Sequence, residues 1–184
     1  MKLYFVRHPQ TLWNKKRLFQ GSKEGPVTKE GKLATSEFIK SIKAMDIDYL
    51  YYADNKRCGY LAKEIVKIFP KLVSKRDPRI NERSFGEYEG TPEGRIAKIT
   101  NFDPNNFEAR YEWKGEGGES MKDISIRVKD FLKELKEADV KDKNAFVITS
   151  GGVMKVVLYI LSIKTLGEAL QTKYKNLEMM EINI

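Results

Sequence analysis

The chain of 184 residues is 41% hydrophobic and 33% charged, a balance that suits a globular protein and excludes a disordered or fibrous one. Its length is normal for one domain, and we predict a single domain over residues 1–184. The net charge of +8 admits anionic ligands, but lysines and arginines are interleaved with acidic residues, so we expect no nucleic-acid partner.

The first half of the chain alternates predicted strands and helices. In chain order these are a strand at 2–6, a helix from Thr28 to about Met45, a strand at 47–53, a helix through Leu61 and Phe69, and a short strand at 72–76. The first strand is mostly apolar and is followed by polar residues, as a buried strand is when its end opens onto a functional loop, and His8 lies just past that end. Region 91–118 has no clean period, and we interpret it either as a lid over a site or as a helical excursion that only packs.

The second half continues the alternation. It contains a helix after Gly118 through Leu135, a buried strand at 145–149, a helix at 153–161 and a last strand at 177–184. Repeated strand-helix units predict an α/β fold, a three-layer α/β/α sandwich with a mainly parallel sheet. In such sheets ligands bind at the carboxyl ends of the strands.

Polar groups follow three of the predicted strands. Arg7 and His8 follow the first, Arg57 follows the second, and Ser150 follows the buried strand at 145–149, with Gly151 after it. Two guanidinium groups and the amides at a helix N-terminus suit a phosphate group. A neutral imidazole can attack phosphorus without first losing a proton, so His8 is the candidate nucleophile.

The residues around these strand ends resemble those of the histidine phosphatase superfamily, also called the phosphoglycerate mutase-like family. The resemblance rests on residues 6–14 (VRHPQTLWN), 19–21 (FQG), 26–31 (PVTKEG), 55–57 (NKR), 80–90 (INERSFGEYEG), 118–120 (GES) and 147–153 (VITSGGV), with Arg17 and Arg127. It covers nearly the whole chain, and the spaced combination is more specific than any one motif.

The resemblance implies a two-step phosphoryl transfer through a phosphohistidine on His8. The residues it assigns to substrate binding are Arg7, Asn14, Gln20, Gly21, Arg57 and Gly151. Glu82 falls where the family places the acid that protonates the leaving oxygen, and Glu87 and Glu89 are its rivals.

The chain departs from the family pattern at two positions. Ser150 stands where the family has a second histidine, and losing one donor to the transferring phosphoryl group costs about 3 kcal/mol, part of which a serine hydroxyl can recover. Pro9 replaces a glycine, which removes an N–H and stiffens the loop. Phosphate binding should therefore survive better than turnover.

The favoured interpretation is a phosphomonoester hydrolase that acts on a small phosphorylated metabolite. The alternative is a protein that binds such a ligand without turnover, because Ser150 and Pro9 have removed catalysis. A mutase-type phosphotransferase is less favoured, because the mutases of the family are longer and have more material over the pocket.

Other features set the expected cellular context. Cys58 is the only cysteine, so no intrachain disulfide can form and a reducing compartment is expected. The N-terminal apolar run is too short for a signal peptide and no stretch has the length of a membrane span, so we predict a cytoplasmic protein with no membrane partner. One histidine, one cysteine and no clustered carboxylates predict no metal, and no cofactor is expected. The sequence leaves the substrate and the oligomeric state open.

Overall fold

A computed structural model describes residues 1–94, 103, 105–138 and 143–184 of the chain. In this part of the chain five strands form one sheet in the order β3-β2-β4-β1-β5. The strands are β1 (Lys2–Arg7), β2 (Tyr49–Tyr52), β3 (Val73–Arg76), β4 (Asn144–Thr149) and β5 (Met179–Asn183).

Strands β1 and β4 form the buried middle of the sheet. Four consecutive residues of β1 and five of β4 are buried, as expected of parallel strands covered on both faces. Every residue of the edge strand β3 is exposed, and the Lys75 side chain of that edge pairs with Glu134 at 3.2 Å. Charged side chains of this kind discourage further strand pairing at an edge.

Helices cover both faces of the sheet. The described helices are α1 (Leu12–Lys15), α2 (Lys29–Ile42), α3 (Lys56–Ile68), α4 (Phe107–Glu112), α5 (Met121–Glu137), α6 (Gly151–Ile160) and α7 (Leu166–Gln171). Helix α2 packs against α3, and α5 packs against α6. The connections from β1 to β2 and from β2 to β3 run in one direction across the sheet, and the connection from β3 to β4 runs back. Because such connections are right-handed, the pair α2 and α3 lies on one face of the sheet and the pair α5 and α6 lies on the other.

The helices begin where side chains satisfy their free backbone amides. Thr28 Oγ1 accepts from Gly31 N at 2.9 Å, and Asn55 Oδ1 accepts from Cys58 N at 2.9 Å. Ser120 and Asp123 form a reciprocal capping box at the start of α5. Caps therefore position α3 immediately after β2, which brings Arg57 to the sheet edge.

The mainly parallel α/β architecture is confirmed, with differences in detail. The last strand, β5, runs antiparallel to β1, so only this edge of the sheet departs from the parallel pattern. Helices α1 and α7 are absent from the sequence prediction because they are short and carry few apolar positions. Part of the candidate lid at 91–118 lies outside the described residues, namely 95–102 and 104, while its described part includes α4.

No helix in the described ranges combines the length and the apolar character that crossing a membrane requires.

Candidate active site

The polar residues predicted after three strands come together at one edge of the sheet. Strands β2, β4 and β1 are direct neighbours and run parallel, so their carboxyl ends lie side by side. Arg7 pairs in register with Thr149, and the backbone N–H of His8 donates to the Thr149 carbonyl at 3.0 Å. The sheet thus places His8 directly beside Ser150, although 141 positions separate His8 from Thr149.

The His8 imidazole is buried and oriented by a backbone carbonyl. His8 is only 3% exposed, and its Nδ1 lies 2.8 Å from the Pro9 carbonyl oxygen. Because a carbonyl can only accept a hydrogen bond, Nδ1 carries the proton and Nε2 keeps its lone pair. The sequence analysis considered the N–H that Pro9 removes and missed the carbonyl that Pro9 supplies.

Burial and neighbouring charge keep the imidazole neutral. Burial is the largest cause that lowers the pKa of His8 well below its ordinary value of 6.5, and the positive charges of Arg57 and Arg7 lower it further. At neutral pH His8 therefore presents an unprotonated nitrogen among cationic groups, which is the state a nucleophile needs.

Arg57 is fixed in the interior by backbone carbonyls. The residue is 1% exposed, and its Nη2 donates to the Gly21 carbonyl at 2.7 Å while Nη1 donates to the Lys23 carbonyl at 3.1 Å. In the amide orientation that satisfies all of its neighbours, Gln20 also accepts from Arg57 Nη1, at 3.2 Å. Gln20 and Gly21 therefore hold the Arg57 guanidinium in place.

Gly21 has a conformation that requires glycine. Its φ is +56°, and a Cβ at this position would overlap the carboxylate of Glu89. Glu89 is itself buried and accepts from the backbone N–H groups of Ser22 at 2.8 Å and Phe85 at 3.1 Å. The carboxylate of Glu89 thus supports the loop that carries Gly21.

Arg7 is held beside the start of α6. Its Nη1 donates to the Tyr174 carbonyl at 2.5 Å, and a Cβ on Gly151 would lie 3.7 Å from its Nε. Burial lowers the pKa of Arg7. Gly151 therefore lies against the Arg7 guanidinium.

Two buried donors at this edge lack a hydrogen-bond partner. Among the residues that the structure describes, the only buried side-chain nitrogen or oxygen atoms without a partner are Arg7 Nε and Arg57 Nε. Buried N–H groups are rarely left unpaired, because losing their hydration costs about 1–3 kcal/mol. Both atoms belong to the two arginines whose positive charges lower the pKa of His8.

The three candidate acids lie in different surroundings. Glu87 is exposed and accepts from Glu116 N at 3.4 Å, and Glu89 is occupied by the loop amides. Glu82 lies against the first turn of α6, where a Cβ on Gly152 would collide with its Oε1. It lines two cavities, of about 680 and about 230 Å³.

Ser150 and Asn14 complete the set. Ser150 is 2% exposed and caps α6, its Oγ lying 3.5 Å from Val153 N, so its own proton remains available to an acceptor. Asn14 belongs to the capping box of α1, and its Oδ1 accepts from Thr11 N at 3.1 Å.

Asn176, which was not predicted from the sequence, donates to the His8 carbonyl at 2.8 Å and to Asn14 Oδ1 at 3.3 Å. No sequence signal identifies Asn176, because it lies 168 positions from His8.

The chemistry of the described residues does not suggest a metal centre. In the described ranges no three His, Cys, Asp or Glu side chains cluster so that they could hold a metal ion. Cys58 is buried, and burial raises the pKa of its thiol to about 12, so it packs as an unreactive side chain.

Comparison with known proteins identifies the family. The profile of the histidine phosphatase superfamily (branch 1) matches residues 3–184. The chain therefore belongs to the histidine phosphatase superfamily.

Individual relatives are distant and include both phosphatases and a mutase. The "Putative phosphoserine phosphatase 2" of Hydrogenobacter thermophilus is 29% identical over 171 residues, which cover 88% of this chain and 78% of the relative. The 2,3-bisphosphoglycerate-dependent phosphoglycerate mutase of a Bradyrhizobium strain is 26% identical over 165 residues, covering 86% and 80%. The solved structure of a mycobacterial glucosyl-3-phosphoglycerate phosphatase covers 98% of this chain and 90% of its own, with a TM-score of 0.84 and 20% identity, a likeness of fold.

Proposed function

We propose that this protein hydrolyses phosphomonoesters through a phosphohistidine formed on His8. The observation that carries the proposal is the pair of buried, unpartnered Nε–H donors on Arg7 and Arg57. A phosphoryl group between them would supply both missing acceptors, and charge-assisted hydrogen bonds of this kind are the strong ones. The membership in a superfamily with phosphatase relatives supports the same reaction.

In the first step, Nε2 of His8 attacks phosphorus as the ester P–O bond breaks. The ester enters as its monoanion and gives its proton to the Glu82 carboxylate, which lies at the first turn of α6 beside Gly152, and this carboxyl group then protonates the leaving oxygen. The hydroxyl of Ser150 and the first amides of α6 donate to phosphoryl oxygens, where negative charge builds up in the transition state.

In the second step, water attacks the phosphohistidine and the P–N bond breaks. Glu82, again a carboxylate, accepts a proton from the water and passes it to the inorganic phosphate, so the enzyme returns to its starting state with alcohol and phosphate released. Neutral His8 with a proton fixed on Nδ1 is the state that this cycle begins and ends with.

A second candidate, capture of a phosphorylated ligand without turnover, is favoured by the histidine content of the chain, because His8 is the only histidine and its neighbour at the strand ends is Ser150. A neutral hydroxyl is a weaker donor than an imidazolium, and removing one such donor typically costs about 100- to 1,000-fold in rate.

The test compares purified parent protein with His8→Gln and Ser150→His in an assay with p-nitrophenyl phosphate. We expect slow turnover by the parent, none by His8→Gln, and a kcat about 100-fold higher in Ser150→His. Quenching the parent at alkaline pH should trap a phosphoryl group that is stable to base and labile to acid, and His8→Gln should lack it. Full activity in His8→Gln would exclude the proposed nucleophile, and an inactive parent with an active Ser150→His variant would establish the binding protein.

A further inference from the structure

A large cationic cavity opens from the Arg7 and Glu82 end of the site. Its volume is about 680 Å³, which is in the range of pockets that enclose a small organic ligand. The cations among its described lining residues are Arg7, Arg17, Arg83, Arg110, Lys155 and Lys173, against the acids Glu82 and Glu93. Six cations against two acids give this lining a net charge of +4, and a phosphate dianion at His8 would compensate about half of it.

Arg83 is the most constrained of these cations. Its guanidinium lies over the ring of Phe85, 4.4 Å from the centroid, and 5.3 Å from the ring centroid of Trp113. These aromatic contacts orient the group and leave its N–H edge free. No carbonyl or carboxylate within the described ranges accepts a hydrogen bond from it, although the side chain is half-buried.

Arg83 is charged at neutral pH despite its burial. Burial lowers its pKa to about 10, and the carboxylates of Glu82 and Glu119 oppose that change. Its guanidinium nitrogens are not among the buried donors that lack a partner, so solvent or a ligand in the cavity can reach them. Its fixed, bidentate donor geometry matches a phosphate or a carboxylate.

Lys155 adds a second cation to the same cavity wall, from the helix that Ser150 caps. Its Nζ donates to the Leu170 carbonyl at 2.9 Å, which uses one of its three protons. Burial and, after it, the charges of Arg110, Arg7 and Arg83 together lower its pKa to about 8. An anion in the cavity would relieve this mutual repulsion.

We infer that the cavity contains a second anion subsite built on Arg83 and Lys155, so that the preferred substrate is a phosphomonoester with a second phosphate or carboxylate group. This inference rests on the proposed function for the position of the first phosphate, and it extends that function to the class of substrate. The aromatic rings of Phe85 and Trp113 pack against the guanidinium and give the linker between the two anionic groups an apolar surface.

The test uses matched esters that differ at one end. Propanediol, pentanediol and heptanediol monophosphates carry a plain hydroxyl at the far end, and each is compared with the bisphosphate and with the ω-carboxylate of the same chain length. At the best length, we expect kcat/KM to be about 10- to 100-fold higher for the dianionic esters, as one charged hydrogen-bonded contact implies. The bisphosphate and carboxylate arms show which anionic group the subsite prefers.

Variants locate the effect at the subsite. Arg83→Met should remove most of the preference through a higher KM for dianionic esters, Lys155→Met should remove part of it, and Arg83→Lys should retain part of it. All should leave the plain monophosphates nearly unchanged. Arg76→Met is the matched control, because Arg76 is an exposed arginine of the edge strand and pairs with Asp54 at 3.1 Å outside this cavity.

Two outcomes would overturn the inference. One is an equal kcat/KM for all three end groups, and the other is an equal loss on plain and dianionic esters in Arg83→Met. If the parent hydrolyses none of the esters, the proposed function fails, and calorimetric titration with the same esters decides the subsite separately. Tighter binding of the bisphosphate that Arg83→Met abolishes would support the subsite, and equal affinities would exclude it.

Discussion

The inner and outer ends of the site hold their arginines in different ways. At the inner end, the guanidiniums of Arg7 and Arg57 are fixed by backbone carbonyls of Tyr174, Gly21 and Lys23. At the outer end, the guanidinium of Arg83 is fixed by two aromatic rings. Backbone carbonyls belong to the fold, while aromatic side chains can change without altering it. The inner end is therefore suited to the reaction common to all substrates, and the outer end to the choice among them.

The two ends also differ in their access to water. His8, Arg57 and Ser150 are each at most 3% exposed, so charges there interact in a medium of low polarizability. Arg83 and Lys155 are only half-buried and line an open cavity. Substitutions at the inner end should accordingly have larger effects, and should affect every ester alike.

Among substitutions that leave the nucleophile in place, the largest effect is expected from Arg57→Met. Removing this buried donor should lower kcat/KM by about 1,000-fold on plain and dianionic esters alike, because the interaction with the transferring phosphoryl group strengthens in the transition state. Steady-state kinetics on both ester classes is the measurement, with the melting temperature as a check on folding. The kcat/KM of Arg57→Lys should lie between those of the parent and Arg57→Met, because lysine keeps the charge but lacks the bidentate geometry. A loss of kcat/KM confined to dianionic esters would show that the inner end does not act on all substrates alike.

A smaller effect is expected from Glu82→Gln, and it should depend on the leaving group. Without the proton donor, kcat on an alkyl phosphate should fall by roughly 100-fold, while p-nitrophenyl phosphate, whose leaving group needs little protonation, should lose less than about 10-fold. Glu87→Gln is the matched control, because Glu87 is exposed and lines neither cavity at the site. Equal losses on both esters would show that Glu82 positions other groups without donating the proton.

The smallest effect is a dependence of stability on pH that reports the burial of His8. Since its pKa in the folded chain lies well below 6.5, the unfolded chain binds a proton below pH 6.5 that the folded chain does not. The free energy of unfolding should therefore fall with falling pH, relative to His8→Gln, by at most about 1.4 kcal/mol per pH unit, and the two curves should run parallel above about pH 7. Urea unfolding at several pH values measures this. His8 is the only histidine, so no other imidazole contributes. If the free energies of unfolding of the parent and His8→Gln ran parallel down to pH 5, the His8 imidazole would be in contact with water and not buried.

Prediction from the sequence succeeded where local pattern and strand order suffice. The apolar runs at β1 and β4 and the capped helices α2 and α3 lie within a few residues of their predicted bounds. Arg7, His8, Arg57 and Ser150 are brought to one edge, because the carboxyl ends of neighbouring parallel strands must meet there. The roles assigned to these residues stay predictions until the variants are measured.

Prediction failed where the partner is distant in the chain or is a backbone atom. The Pro9 carbonyl that orients His8 is invisible in a pattern of side chains, and Asn176 reaches His8 across 168 positions. The same limit hid the setting of Arg83, since its ring partner Trp113 comes from the region predicted only as a lid or a packing excursion.

The sequence by itself determined the α/β architecture, the superfamily and the set of polar residues at the strand ends, because periodicity and local motifs act within a few residues of each other. Only the tertiary structure decided that the imidazole of His8 is buried and neutral, that two guanidinium Nε–H groups lack acceptors, and that Arg83 packs against two aromatic rings at the wall of a cavity. Burial, dielectric surroundings and unsatisfied donors depend on how distant segments pack, and no local pattern records them.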